Sequence, residues 1–166
     1  FSFLDESAFF TGDTVAKVKK SFGTGHKEAR LKEKAISENI AMYCYKSIAR
    51  WKVYHFHDTS DTAGVKRLGS LHDNIYLRFD ASNLAAFLYK LQKNSPQSYQ
   101  HIRKTIQLAI PFFDDFVLNP QKLITEEEQI RLLWKQKDSD YAFWPSQLSD
   151  GSIRFICLVT ALLLPD

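Results

Sequence analysis

Residues 147–164 read Gln147-Leu148-Ser149-Asp150-Gly151-Ser152-Ile153-Arg154-Phe155-Ile156-Cys157-Leu158-Val159-Thr160-Ala161-Leu162-Leu163-Leu164. Ser149 has the chemistry of a helix N-cap, and Gly151 leaves the first turn open to close backbone approach. Ile153, Ile156, Cys157, Thr160, Ala161 and Leu164 then fall on one helical face. Phe155, Leu158, Val159 and Leu162 cover much of the rest, which predicts a helix buried nearly all round. Such a helix has little reason to begin with a small polar turn unless that end meets solvent or a ligand. A helix N-terminus carries about half a positive charge and unpaired N–H groups, a combination suited to phosphate. Plain capping explains the same residues, and local chemistry alone does not separate the two.

Working outward, Tyr141-Ala142-Phe143-Trp144 reads as a strand returning from the turn Asp138-Ser139-Asp140. Its expected partner holds Ile130, Leu132 and Trp134, which alternate with polar neighbours. Phe113 to Leu118 predicts a further strand stopped by Pro120. Upstream, Asp80-Ala81-Ser82-Asn83 offers cap chemistry before Leu84, Phe87, Leu88 and Leu91, and Ser95-Pro96 starts a second helix bearing Tyr99, Ile102, Ile106 and Ile110. The short link between them predicts an antiparallel helical hairpin. Trp51 to His57 clusters branched and aromatic residues and reads as a strand, with a polar loop over 58–74. Ser37 caps an expected helix bearing Ile40, Cys44, Ile48 and Trp51, residues 11–36 read mostly as loop, and residues 1–10 as a strand. Strands and helices that do not alternate strictly predict an α+β fold.

The chain has 166 residues with 45% hydrophobic and 25% charged positions. Those values fit one globular folding unit over 1–166 and argue against disorder, collagen or coiled coil. Net charge is +3, too small to imply nucleic acid by itself. No apolar run reaches the roughly 20 residues of a membrane span, and no signal peptide opens the chain. Cys44 and Cys157 both sit in apolar helical patterns, so the expectation is two unreactive thiols in a cytoplasmic, reducing setting. The apolar edges at Phe1-Ser2-Phe3-Leu4 and Ala161 to Leu164 suggest a piece of a longer chain.

Leu148-Ser149-Asp150-Gly151-Ser152, followed by its apolar helix, resembles the signature motif of the ABC-type ATPases. The nearest likeness is to bacterial AAA-family ATPases related to the RecF, SMC and OLD proteins, including the AbiEii-toxin-like group. Gly23-Thr24-Gly25-His26-Lys27-Glu28, Trp51 to Ser60, Asp80 to Leu88 and Pro145 to Leu164 carry the likeness over more than half the chain. It implies a head that pairs with a second head as a homodimer, sandwiching ATP and Mg. Ser149 and Gly151 would meet the γ-phosphate held by the partner, with Leu148, Asp150 and Ser152 shaping the turn. Asp150 and Ser152 depart from the Leu-Ser-Gly-Gly-Gln form, and an acidic side chain near a phosphate is unfavourable unless it points to solvent or a basic partner. DNA-related or phage-defence work is the implied setting, with DNA as a possible partner.

No Gly-x-x-x-x-Gly-Lys-Ser/Thr loop and no apolar strand ending in Asp-Glu occurs. By the family's order these would flank the chain, so an interior head fragment, inactive in ATP hydrolysis by itself, is expected. Other constellations compete. His55 and His57 at i and i+2 on a strand, with His72 downstream, could hold zinc or iron. Lys17, Lys19, Lys20, Lys27, Arg30, Lys32 and Lys34 form a basic stretch that could meet a phosphate backbone, although Glu28, Glu33 and Glu38 interrupt it. With exposed aromatics, that stretch supports the alternative of a nucleic-acid or protein interaction module. Asp114-Asp115 and Glu126-Glu127-Glu128 read as surface carboxylates.

Overall fold

A computed structural model describes residues 4–12, 15–25, 27, 29–34, 39–49 and 52–164. The chain divides into two compact units, Phe1–Lys52 and Val53–Asp166. In the first, β1 (Glu6–Gly12) and β2 (Val15–Gly23) form an antiparallel hairpin, followed by the helices α1 (Leu31–Lys34) and α2 (Asn39–Ala49). The strand β2 replaces part of the loop expected over 11–36. Lysines do not prevent a ladder in a two-stranded ribbon, where every strand is an edge: Lys19 stands opposite Phe9 and pairs with Asp5 at 3.3 Å. Among the described side chains of α2, Ala41 is buried, while Ile48, expected inward, is exposed. Ser37 and Trp51 lie outside the described residues.

The second unit opens on an extended segment rather than the strand expected at Trp51 to His57. Its alternation is real, with Tyr54 and Phe56 packed against the core and Val53, His55 and His57 exposed. It has no ladder among the described residues: its backbone contact with the rest of the fold is the bond from the His55 N–H to the Phe79 carbonyl, at 2.7 Å. A 3-10 turn (Gly64–Lys66) and β3 (Gly69–Ser70) then interrupt the expected loop. Gly64 is needed there, because a Cβ would come within 2.5 Å of the Ser82 Cβ.

Helices α3 (Leu84–Asn94) and α4 (Pro96–Ala109) pack against one another across Ser95. Pro96 opens α4, where the missing N–H costs nothing. Asn83, at the cap position of α3, turns its side chain elsewhere. It accepts from the Arg78 N–H and donates to the Asp73 and Tyr76 carbonyls, pinning the lead-in loop.

The strands that follow are β4 (Phe113–Val117), β5 (Gln121–Lys122), β6 (Glu128–Ile130), β7 (Leu133–Gln136) and β8 (Ala142–Phe143). They form two antiparallel three-stranded sheets, ordered β3-β6-β5 and β4-β7-β8. The single strand expected through Ile130, Leu132 and Trp134 is therefore split between sheets at Arg131-Leu132. The expected return strand holds, with Trp134 opposite Phe143.

A 3-10 turn (Pro145–Gln147) leads into α5 (Asp150–Leu162), which packs against α4. Ile153, Ile156, Cys157, Val159 and Thr160 are buried on its inner face. Each fully buried large aliphatic side chain contributes about 1.5–3 kcal/mol, so this face fixes the helix. Its outer face corrects the expectation of all-round burial: Leu158 and Leu162 are 48% and 73% exposed. Helices set beside small antiparallel sheets make the fold α+β, as expected.

Candidate functional site

The turn Leu148–Ser152 is held by two caps in succession. In the first, the Trp144 N–H donates to Gln147 Oε1 at 2.7 Å, and the Gln147 N–H donates to the Trp144 carbonyl. The Leu148 N–H then closes on the Pro145 carbonyl, and the Leu148 side chain is buried as the anchor of the turn. In the second, Ser149 caps α5, its Oγ accepting from the Ser152 N–H at 3.1 Å and lying 2.9 Å from Ser152 Oγ. The first intrahelical bond is donated by Ile153 to the Ser149 carbonyl. The N–H groups of Asp150 and Gly151 precede it and belong to the orphan donors of a helix start.

Ser149, Asp150 and Gly151 are exposed and Ser152 is half-buried. A Cβ at Gly151 would find only Ser149 Oγ, at 3.9 Å, so the protein itself does not require glycine there. The Asp150 carboxylate is open to solvent on one side and has Lys66 Nζ at 3.8 Å on the other. The Lys66 side chain is 7% exposed. Burying an ammonium is unfavourable unless it is paired; here Nζ donates to the Thr59 carbonyl at 2.6 Å and lies 3.7 Å from Asp61. Arg154 of α5 donates to the His57 carbonyl at 3.0 Å. The extended segment is thereby tied to the first turns of the helix.

Beside the turn, the two 3-10 turns pack together and leave an open cavity of about 400 Å³. Asp61, Lys66, Arg67, Arg131, Trp144 and Pro145 line it, with Ser146. The Arg131 guanidinium lies 4.6 Å from the Trp144 ring centre. Sequence reasoning passed over this group, because its members come from three separate loops and share no spacing. The one available signal was the adjacent pair Lys66-Arg67 in a glycine-bearing loop.

The remaining candidates separate. The His55 and His57 rings are 6.3 Å apart, both exposed, and the strand that would have aligned them is missing. Among the described residues no group of three or more His, Cys, Asp or Glu is placed to hold a metal ion. Asp114 and Asp115, expected at the surface, are half-buried. Arg103 Nη2 meets Asp114 Oδ1 at 2.7 Å, Lys135 Nζ meets Asp114 Oδ2 at 3.0 Å, and the Tyr99 hydroxyl donates to Asp115 at 2.7 Å. The Lys135 and Arg103 contacts hold the Asp114 carboxyl below its ordinary range. Burial first, then the Asp115 bond, raises the Tyr99 hydroxyl. Burial pushes the Cys157 thiol up to about 12, while Cys44 is only half-buried. Of the basic stretch, Lys17, Lys19 and Lys20 lie on β2, Lys32 and Lys34 on α1, and Lys27 and Arg30 in the connection between them.

Comparison with protein-family models, with curated proteins and with solved structures finds no match. Among the described residues no helix is long and apolar enough to cross a membrane.

Proposed function

We propose that Leu148–Ser152 is the signature turn of an ABC-type ATPase head, which meets the γ-phosphate of ATP held with Mg by a facing head and so couples nucleotide to dimerisation. The observation that carries this reading is an exposed turn whose Asp150 and Gly151 N–H groups stand free of the helix ladder, on a thirteen-residue helix rooted in the core. The residues fit an incoming phosphate: Gly151 has open space where a side chain would stand, and Ser149 and Ser152 supply hydroxyls. Bound there, the triphosphate would supply the charge that bridges two heads. Lys66 beside Asp150 offsets the carboxylate that otherwise opposes an anion. The phosphate-cradling loop and the magnesium ligands are not among these 166 residues, so hydrolysis belongs to a protein that supplies them.

The test is ATP-dependent dimerisation, followed by light scattering, of a protein carrying this segment together with a Walker A loop. Ser149→Arg places a bulky cation on the turn and is expected to abolish the ATP-dependent dimer. A dimer that persists in that variant rejects the signature assignment.

A further inference from the structure

We propose that the cavity walled by Lys66, Arg67, Arg131 and Trp144 binds one nucleotide unit, a phosphate carried with a planar base, either free or within a single strand. This goes beyond the signature reading and does not depend on it. Lys66 spends its charge on the Thr59 carbonyl, Asp61 and Asp150. Arg67 and Arg131, by contrast, make no close ion pair among the described residues, Arg67 being felt only electrostatically by the exposed Asp58 carboxylate, and the Arg131 Nε is buried without a hydrogen-bond acceptor. A buried N–H left unmade is costly, and such a group in a native fold calls for an acceptor. The Arg131 guanidinium also lies over the Trp144 ring, 4.6 Å from its centre, in the wall of the same cavity, a stacked arrangement that restrains its plane. Planar guanidinium donors of this kind match phosphate oxygens.

The aromatic wall argues for a base as well as a phosphate. Trp144 keeps 48% of its surface exposed although its backbone is fixed. Its N–H donates to Gln147, and its carbonyl accepts from Trp134 Nε1 at 3.1 Å. A rigid, half-open indole among cations is the arrangement on which nucleic-acid bases stack. A volume of about 400 Å³ lies within the range of small-ligand sites and suits one nucleotide rather than a duplex.

The test measures anisotropy of a fluorescein-labelled oligothymidylate of eight nucleotides against the full chain, with ATP and inorganic phosphate as competitors. Arg67→Glu and Arg131→Gln are each expected to weaken binding about tenfold or more, and Trp144→Ala to weaken it by a similar factor. Circular dichroism confirms that exposed Arg67→Glu folds. Ser149→Arg is expected to leave this binding unchanged, which separates the cavity from the signature turn. Competition by ATP identifies a free nucleotide as sufficient, and binding of the oligonucleotide without competition by ATP identifies a strand; either supports the proposal. Inorganic phosphate competing as well as ATP, or affinity indifferent to both arginine substitutions in folded protein, overturns it.

Discussion

Two charged clusters in the second unit differ in how their charges are used. Between α4 and the β4-β7-β8 sheet, the cations Arg103 and Lys135 face the carboxylates Asp114 and Asp115. Arg103 Nε and Gln107 Nε2 also donate to the Asp114 carbonyl, both at 2.7 Å. Around the cavity, Arg67 and Arg131 stand with a tryptophan and make no close ion pair among the described residues, the nearby Asp58 and Asp61 carboxylates being exposed. Charge that is consumed where it stands holds a helix to a sheet. Charge that is left over is available to something that is not part of the chain.

The largest effect should come from breaking the consumed cluster. Arg103→Met strips Asp114 and Asp115 of their shared cation in a half-buried setting, and is expected to destabilise by about 3 kcal/mol. Arg67→Met removes an exposed cation whose carboxylate neighbour, Asp58, is itself in solvent, and should change stability by no more than about 0.5 kcal/mol. Urea denaturation of both variants reads the difference. Equal losses would mean that Arg67 is as structurally engaged as Arg103, and the contrast between the clusters would disappear.

The sequence announced these clusters unequally. Asp114-Asp115 was visible as a pair, but nothing in its neighbours tells that Arg103 lies one helix back and Lys135 one strand ahead. The helices α3 and α4 were legible because Leu84 to Leu91 and Tyr99 to Ile106 repeat on one face, and Pro96 marks the boundary. β8 was legible from the turn before it. Trp51 to His57 misled because alternating burial also arises when an extended segment lies on a core without a neighbouring edge to pair with. Residues 11–36 misled because lysines read as solvent although a ribbon accepts them. On α5 the capped turn was legible and its inner face correct, whereas Leu158 and Leu162 carry no local sign that they face outward. The cavity was illegible because tertiary packing alone brings Arg67, Arg131 and Trp144 together.

A smaller effect follows from protons. Lys135 and then Arg103 lower the Asp114 carboxyl. A carboxyl lowered by folding adds stability above its unfolded pKa, near 3.9, and that stability is lost as pH falls through the folded value. The protein should therefore lose stability below about pH 4. Asp114→Asn, already weaker at pH 7, should lose less over that range. Parallel losses in the two proteins, followed by urea midpoints between pH 3 and 7, would place the acid sensitivity at other carboxylates and leave this cluster without a pH signature.

The smallest effect on the fold is expected at the turn proposed as a signature, Leu148–Ser152, and its smallness is what makes it informative. Gly151 occupies the first turn of α5, where a Cβ meets nothing nearer than Ser149 Oγ at 3.9 Å. Alanine is the better helix former by up to about 1 kcal/mol in a helix interior, so Gly151→Ala should leave thermal stability unchanged or slightly raised. If glycine is kept there for the approach of a phosphate, the same methyl should weaken ATP-dependent dimerisation even though the fold is undisturbed. Stability and nucleotide response would then move in opposite directions in one variant. A Gly151→Ala protein that dimerises with ATP as the parent does would show that no ligand approaches this glycine closely. Ser149 would then be a helix cap and nothing more.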